Sequence, residues 1–233
     1  MKKIITIDGP AGAGKSTVSR LVAKRLQILY LDTGAMYRAV ALQAKREGIN
    51  IRDGERLGPL CRRLDLHFIT QGESPKLFIG EENISSAIRS PEMDMLSSAV
   101  SAVTEVREAM TALQRKIGFE AGVVAEGRDM GTVVFPNAEH KFFLTASAEV
   151  RAQRRYQERR ERGEDVTREE VARELAARDE QDTRRAIAPL VAAEDATTID
   201  TTRLSASEVV DIILAEILDQ ENRKGAKGGE RMT

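Results

Sequence analysis

The residues with the clearest chemical pattern lie close together near the start of the chain. The segment Gly9-Pro10-Ala11-Gly12-Ala13-Gly14-Lys15-Ser16 matches G-x-x-x-x-G-K-[ST] completely, with a β-branched strand before it and an amphipathic helix after it. Glycines let the backbone curl so that successive N–H groups point at anionic oxygens, and the helix adds the positive end of its dipole. Lys15 would place a charge on the β- and γ-phosphates, and Ser16 would offer a hydroxyl to Mg²⁺. The pattern predicts a phosphate-binding loop (P-loop) for a nucleoside triphosphate, and disfavours a glycine-rich turn without a ligand.

Other classes of P-loop protein carry motifs that this sequence lacks. A GTPase switch would need N-K-x-D, and an ABC-type ATPase would need L-S-G-G-Q; neither occurs. Motor and helicase ATPases usually have an apolar strand that ends in Asp-Glu. Here the comparable strand ends in Glu126-Gly127-Arg128-Asp129, which places an arginine between two acids.

Arginine is the second chemical feature. Arg38 lies in a helix just after one expected strand, and Arg128 directly follows another. Further arginines crowd the later helices at Arg151, Arg154, Arg155, Arg159, Arg160, Arg162, Arg178, Arg184 and Arg185. A kinase whose acceptor is itself a phosphate needs such groups, because donor and acceptor repel and the transition state spreads negative charge over its equatorial oxygens. Positioned guanidinium groups would clamp both partners in line.

A solvated helix face is the competing interpretation of these arginines. Residues 151–185 contain 11 arginines and 10 acids, which is a near balance that i,i+4 ion pairs could use up. For a single residue such as Arg159 or Arg173 this interpretation is the favoured one. It is weaker for Arg154 and Arg155, and weakest for Arg38 and Arg128.

Composition limits the class of protein. The chain has 233 residues with 41% hydrophobic residues and a net charge of −1, which suits one globular domain with a real core. Cys61 is the single cysteine, so an intramolecular disulfide is excluded and a reducing compartment is expected. The apolar run at residues 4–7 is too short for a membrane span or a signal segment. With 4% aromatics, no tryptophan and a pI near 6.3, we expect a cytoplasmic protein without a nucleic-acid or membrane partner.

Alternating patterns predict an α/β fold. Strands are expected at residues 4–7, 28–31, 122–125, 141–144 and 197–200, and helices at 15–27, 33–47, 90–119, over most of 146–188, and at 205–222. Such alternation favours a parallel sheet covered by helices, with ligands beyond the carboxyl ends of the strands. Residues 66–69 and 76–79 read as an inserted antiparallel hairpin with a turn at 71–75. The glycine- and charge-rich end, from about residue 223 to 233, is expected to be disordered.

The sequence resembles the bacterial type-1 cytidylate kinases, which are P-loop nucleoside monophosphate kinases, as far as about Asn222. The resemblance rests on the P-loop at 7–16, Leu-Asp-Thr-Gly-Ala-Met-Tyr-Arg at 31–38, Glu-Gly-Arg-Asp-Met-Gly-Thr-Val-Val-Phe-Pro at 126–136, and Arg-Asp-x-x-Asp-x-x-Arg-Ala-x-Ala-Pro-Leu at 178–190. It implies one domain over 1–222 with a P-loop NTPase-type parallel sheet, a small antiparallel acceptor-binding insert near 60–90 and a helical lid near 151–170. It also implies transfer of the γ-phosphoryl group of ATP to CMP or dCMP with Mg²⁺, and we expect a monomer.

The resemblance also implies roles for individual residues, carried over by matching position. ATP would be bound by Gly9, Pro10, Ala11, Gly12, Ala13, Gly14, Lys15, Ser16 and Thr17. CMP would be bound by Thr33, Tyr37, Arg38, Ser98, Arg107, Arg128, Asp129, Arg178, Asp182 and Arg185. Within that set, Arg38 and Arg128 would hold the acceptor phosphate; Ser98, Arg107 and Asp129 would read cytosine; Arg178 and Asp182 would contact the ribose. Lys15, Arg128, Arg154 and Arg155 would act in catalysis.

Some assignments stay open at this point. Thr33 stands where many members of the family have serine, and Ser16 stands where glycine is common, so that Ser16 or Thr17 would be the Mg²⁺ ligand. Without the resemblance, Ser98 reads as a packed helix residue, and Asp129 as a turn cap. Another small acceptor, such as uridylate or a phosphorylated coenzyme precursor, is an alternative substrate. A nucleotide-dependent switch acting on RNA is an alternative of a different class.

Overall fold

A computed structural model describes residues 2–69 and 75–229, with side chains as far as residue 223. The strands are β1 (Ile4–Asp8), β2 (Leu29–Asp32), β3 (Leu66–Ile69), β4 (Lys76–Ile79), β5 (Glu82–Asn83), β6 (Val123–Gly127), β7 (His140–Thr145) and β8 (Thr197–Asp200). The helices are α1 (Lys15–Leu26), α2 (Thr33–Arg46), α3 (Gly54–Arg63), α4 (Pro91–Val100), α5 (Thr104–Ala121), α6 (Ala148–Glu161), α7 (Arg168–Arg184) and α8 (Ala206–Gly229). A π-helical turn occupies Met130–Val134.

The main sheet has five parallel strands in the order β2-β6-β1-β7-β8. All residues of the central strand β1 are buried, as a parallel strand with helices on both faces requires. Side chains of β6 alternate between two cores: Val123 and Ala125 join one with Met36 of α2, whereas Val124 joins the other with Val22 of α1. The α/β architecture expected from the sequence is therefore confirmed.

A second, antiparallel sheet has the order β3-β4-β5. Its first two strands have the expected bounds, with Leu66 opposite Ile79 and Phe68 opposite Leu77. Most of the turn expected at 71–75, namely residues 71–74, lies outside the part of the chain that the structure describes. The two-residue strand β5 was not expected, because so short a segment has no recognisable period.

One expected helix is wrong in its extent. The pattern predicted a single helix over residues 90–119, whereas the chain forms α4 and α5 with a break between Val100 and Thr104. The hydroxyls of Ser97 and Ser101 donate to the carbonyls of Asp94 and Ser98, each at 2.8 Å. Such bonds compete with the helical ladder, and serine clusters therefore favour a helix end.

Two further differences concern helices. Helix α3 was not expected; it begins at the N-cap Asp53, whose side chain accepts from the backbone of Arg56, and it carries Pro59 inside. Helix α8 begins after a capping box of Ser205 and Glu208, close to its expected start, but its backbone continues to Gly229 instead of ending near residue 222. The disorder expected from residue 223 onward stays a prediction, and residues 230–233 lie outside the described residues. In the described ranges, no helix has both the length and the apolarity of a membrane span.

Candidate active site

A cavity of about 620 Å³ opens at the carboxyl ends of the main-sheet strands. The P-loop, both sheets and helices α2, α4, α6 and α7 contribute to its wall. Most of the expected site residues line this cavity. They are Ala11, Gly12, Ala13, Gly14, Lys15, Ser16, Thr17, Thr33, Tyr37, Arg38, Ser98, Arg107, Arg128, Asp129, Arg154, Arg155, Arg178, Asp182 and Arg185. Gly9 and Pro10 are not part of it. The expected donor and acceptor residues therefore share one space.

The P-loop is held tightly from behind. Gly9 has φ of 145°, and a Cβ there would come 2.0 Å from the carbonyl oxygen of Leu144. Gly12 has φ of 77°, and a Cβ there would lie 2.8 Å from the carbonyl oxygen of Arg151. Only glycine satisfies both the backbone conformation and the close approach at these positions. The loop is thereby fixed between β7 and α6, and α1 begins after Gly14, which has no side chain to compete for the first N–H groups.

Lys15 is buried at the mouth of this loop. Its Nζ donates to the carbonyl oxygen of Pro10 at 2.7 Å, which turns the side chain over the loop. Burial, and then the charge of Arg128, lower the pKa of Lys15 well below its usual value. A cation in this setting is short of negative partners, and an anion bound in the cavity would supply one.

Glu126 is a site residue that the sequence interpretation named in its motif but gave no role. It is the next-to-last residue of β6 and lies beside the P-loop, because β6 pairs with β1 and Glu126 is opposite Ile7. Its Oε1 accepts from the hydroxyls of Ser16 at 2.8 Å and Tyr30 at 2.9 Å. Its Oε2 is buried and has no hydrogen-bond partner among the described residues. Burial, and then repulsion by Asp32, raise the pKa of Glu126.

The arginine groups of the cavity are paired with acids. Nε of Arg38 donates to Asp94 at 3.1 Å, and Arg155 donates to the other carboxylate oxygen. Nε of Arg128 donates to Asp182 at 2.8 Å. Although burial opposes ionisation, Arg38 and Arg155 hold the pKa of Asp94 below its usual value. Both acids therefore offset part of the positive charge that the arginines bring to the cavity.

A buried ion-pair cluster closes the opposite end of the cavity. Arg107 donates to Asp129, and its guanidinium carbon lies 5.8 Å from the ring centroid of Tyr37. Arg185 also faces Asp129, at 3.6 Å. Burial raises the pKa of Asp129 although both arginines oppose this. Since isolated buried charges are costly, the pairing of Arg107 and Arg185 with Asp129 is what allows these groups to lie buried in the cavity wall.

Ser98 lies between this cluster and Arg128. Its hydroxyl donates to Asp182 at 3.4 Å, and Asp182 holds Arg128 with its second oxygen. Ser98, Asp182 and Arg128 therefore form one hydrogen-bonded chain across three elements. The turn that carries Arg128 is in turn fixed by Asp8, which accepts from the backbone N–H groups of Met130 at 2.9 Å and Gly131 at 2.8 Å.

The lid-region arginines divide into two groups. Arg154 donates to the side chain of Thr201 at 2.9 Å and to its carbonyl at 2.7 Å, and Thr201 donates to the P-loop carbonyl of Ala13. Arg159 binds Glu164 and Glu174 away from the cavity. Its partners lie 5 and 15 positions away and not at the expected i,i+4 spacing, and the expected solvated position is wrong, because Arg159 is only 6% exposed. It joins the end of α6 to α7.

The sequence interpretation missed one side of the cavity. The loop after β8 and the start of α8 contribute Thr201, Leu204, Ser205, Ala206 and Val209 to the wall next to the P-loop. The signal that could have found them is topological: this loop also follows the carboxyl end of a parallel strand.

Comparison with known proteins gives consistent results. The sequence profile of the cytidylate kinase family matches residues 5–219. The chain is 49% identical over 225 residues to a cytidylate kinase of Geobacter sp. (strain M21), which covers 97% of this chain and 96% of that protein. It is 50% identical over 218 residues to a cytidylate kinase of Carboxydothermus hydrogenoformans, covering 94% of this chain and 98% of that protein. A gluconokinase structure from Sinorhizobium meliloti 1021 has a TM-score of 0.51 at 15% identity over 97% of both chains, which bears on the fold alone.

Proposed function

The chain belongs to the cytidylate kinase family, and from this premise we propose that it transfers the γ-phosphoryl group of ATP to CMP or dCMP, giving ADP and CDP or dCDP. The observation that carries the proposal is that the P-loop and Arg38, Arg128 and Arg155 line one cavity. A donor phosphate and an acceptor phosphate would therefore meet in a space of positive charge. Positioning and charge stabilisation are what phosphoryl transfer requires of a protein.

The donor would lie over residues 9–17. The backbone N–H groups of the P-loop and the start of α1 would hold the β-phosphate, and Lys15 would leave Pro10 to reach the β- and γ-phosphates. The adenine would then extend toward the loop after β8, where Leu204 and Val209 offer apolar contact. Arg154, anchored on Thr201, lies at the same end.

The residues beside the P-loop fit a magnesium ion. The unpartnered buried oxygen of Glu126 and the exposed hydroxyls of Ser16 and Thr17 are hard oxygen donors of the kind that Mg²⁺ prefers. Ser16 would hold the ion, with Thr17 as the alternative, and Glu126 would accept from its water shell. When bound, the ion would neutralise charge on the β- and γ-phosphate oxygens.

The acceptor phosphate would be held by Arg38 and Arg128. Each guanidinium can form two parallel hydrogen bonds to a phosphate, which fixes direction as well as charge. Arg128 would exchange all or part of its contact with Asp182 for the phosphate. Thr33 and Tyr37 would line the same part of the site.

Base selection would come from the buried cluster. The Asp129 carboxylate would accept from the exocyclic amino group of cytosine, while Arg107 and Ser98 would donate to its ring nitrogen and carbonyl. Uracil presents a carbonyl in place of the amine. The carboxylate of Asp129 would then face a second hydrogen-bond acceptor, with no proton to share between them. Arg178 and Asp182 would contact the ribose, with Arg185 nearby.

The proposal also includes an acceptor-binding insert and a mobile lid. Residues of about 60–90 would form the acceptor-binding insert, and residues of about 151–170 would form the lid. Lid closure would bring Arg154 and Arg155 onto the phosphates and exclude water, which limits wasteful hydrolysis.

We further propose that the protein is a monomer in the cytoplasm. A monomer is proposed because all the groups of the site come from one chain. Sedimentation of the purified protein with and without ATP tests the monomer.

A steady-state assay tests the function. Coupled detection of ADP with CMP, dCMP, UMP and AMP as acceptors should give much the highest kcat/KM for CMP or dCMP, with no turnover when Mg²⁺ is chelated. Equal activity with UMP or AMP would contradict the proposed substrate. ATP hydrolysis that depends on RNA and is indifferent to monophosphates would instead favour a switch protein.

A further inference from the structure

Asp94 is an acid in the cavity wall to which no role has been given. It lies on α4, and its carboxylate contacts guanidinium groups from three other helices: Arg38 of α2, Arg155 of α6 and Arg178 of α7. Nε of Arg38 approaches Oδ1 at 3.1 Å and a terminal nitrogen of Arg178 approaches it at 3.8 Å. Arg155 binds Oδ2. All four side chains line the same cavity.

The arrangement has an electrostatic reason. Three guanidinium groups that converge on one place repel each other, and one carboxylate among them offsets that repulsion. The side chain of Asp94 is only 18% exposed, so water and salt screen these contacts less than they would on the surface. Without the carboxylate, mutual repulsion would favour conformations in which the three arginine side chains lie further apart and closer to solvent.

The direction of Arg38 is also set by this contact. Among the described residues, Asp94 takes the Nε–H of Arg38, which leaves the terminal N–H groups for a bidentate contact with phosphate. When Nε is held, the plane of the guanidinium is fixed, and its two terminal N–H groups point in one direction. Arg155 is held in turn by Asp94 and by Glu158 of its own helix, at 2.7 Å.

We propose that Asp94 is a positioning residue for phosphoryl transfer, whose carboxylate gathers Arg38, Arg155 and Arg178 around one point before the nucleotides bind. The inference rests on the proposed function, because that function assigns these arginines to the phosphates and the ribose. Asp94 itself touches no reacting atom; it acts by reducing the rearrangement that the arginines need in order to reach the transition state. It also ties the lid helix α6 to the acceptor side through Arg155.

The substitution Asp94→Asn tests the proposal, because it keeps the size of the side chain and removes its charge. We expect kcat with CMP and ATP to fall roughly 10- to 100-fold, the size of effect that small misplacement of catalytic groups produces. The Kd of CMP, measured by calorimetry without ATP, should stay the same or tighten, since all arginines remain and one negative charge is lost. A kcat within about threefold of wild type, or a parallel loss of kcat and CMP affinity, would overturn the proposal.

The matched control is Glu92→Gln on the same helix. Glu92 pairs with Lys45 on the surface at 2.7 Å, where both side chains are 53% exposed, and its loss should leave kcat and Kd unchanged. Wild-type protein that fails to phosphorylate CMP at all would refute the proposed function; active wild type with an Asp94→Asn variant that behaves like Glu92→Gln would refute only the role of Asp94.

A spectroscopic measurement on the wild type covers the case in which Asp94→Asn does not fold. Arginine Nε–H signals in proton–nitrogen spectra report hydrogen bonding at that atom. We expect the Arg38 signal to exchange slowly with water in the nucleotide-free protein, compared with the exposed Arg184. Exchange of Arg38 as fast as that of Arg184 would show that Asp94 does not hold it, and would overturn the proposal.

Discussion

Nε of Arg128 donates to Oδ2 of Asp182 at 2.8 Å, so that an acid of α7 holds the arginine at the end of β6 that is proposed to bind the acceptor phosphate. The same guanidinium donates to the carbonyl of Gly127 at 3.2 Å. The arginine is therefore oriented before any nucleotide arrives, and the carboxylate occupies a contact that a phosphate would use.

Replacement of Arg128 by alanine should reduce kcat/KM for CMP by roughly 10²- to 10³-fold, the usual effect of removing one donor to transition-state charge. Arg128→Lys should recover little, because a lysine cannot form the two parallel bonds of the guanidinium fork. Steady-state kinetics with CMP as the varied substrate measures both. The control is Arg184→Ala, whose side chain on α7 is 79% exposed; activity of Arg128→Ala equal to that of this control would exclude Arg128 from the site.

Loss of Lys15 should abolish most turnover and leave the fold intact. Lys15→Ala removes a buried cation from the phosphate loop, and we expect kcat to fall by about 10²-fold or more. Thermal unfolding should change little, because the pKa of Lys15 is already lowered by burial. Lys24→Ala, on the exposed face of the same helix, is the matched control. A Lys15→Ala variant with near wild-type kcat would mean that the donor binds elsewhere.

The choice of base should depend on Asp129. In Asp129→Asn, the amide can donate to a carbonyl where the carboxylate could only accept, so the preference for CMP over UMP should narrow by about 10- to 100-fold while KM for ATP changes little. Competition between the two monophosphates in one reaction gives the ratio directly. If the variant kept the full preference for CMP over UMP, the proposed hydrogen bond between Asp129 and the cytosine amino group would be wrong.

Magnesium use should depend on Glu126. Glu126→Gln removes the unpartnered carboxylate oxygen beside Ser16. The Mg²⁺ concentration for half-maximal rate should therefore rise by about 10- to 100-fold, the usual effect of losing a group that supports a bound metal through its outer layer of contacts. Isothermal calorimetry with Mg–ATP should show a higher Kd for the Mg–ATP complex in Glu126→Gln, which tests the role without turnover. Tyr30→Phe removes one hydrogen bond to Glu126 but keeps its charge, and should shift the Mg²⁺ dependence much less.

The stability of the fold should depend on pH through Asp8. Burial is the largest influence, and it raises the pKa of Asp8 from 3.8 to about 6 despite two backbone hydrogen bonds. An acid with a raised pKa binds its proton more tightly in the folded state, so its contribution to stability falls as pH rises from about 4 to 6. The unfolding free energy of wild type minus that of Asp8→Asn should therefore fall over this range, by up to about 3 kcal/mol. Urea unfolding between pH 4.5 and pH 7 measures it; a constant difference would contradict the raised pKa.

Local patterns were enough for much of this protein. The P-loop, the strands of the main sheet and the hairpin strands of residues 66–69 and 76–79 were predicted because each depends on neighbours in the sequence: glycine offsets, short β-branched runs and turn residues. The capping boxes at Thr167 and Ser205 are local in the same way, because each joins residues three positions apart. Arg38 and Arg128 stood out because the carboxyl ends of parallel strands meet at one edge of a sheet.

Tertiary structure alone decided the partners of these groups. Glu126 reaches Ser16 only because β6 pairs with β1, although the two residues are 110 positions apart. Asp94 looked like an ordinary acid in the first turn of a helix until α2, α6 and α7 brought three arginines to it. An ion pair depends on distance and burial, and both are set by how distant segments pack, so no local pattern of charges could have identified which arginines meet which acids.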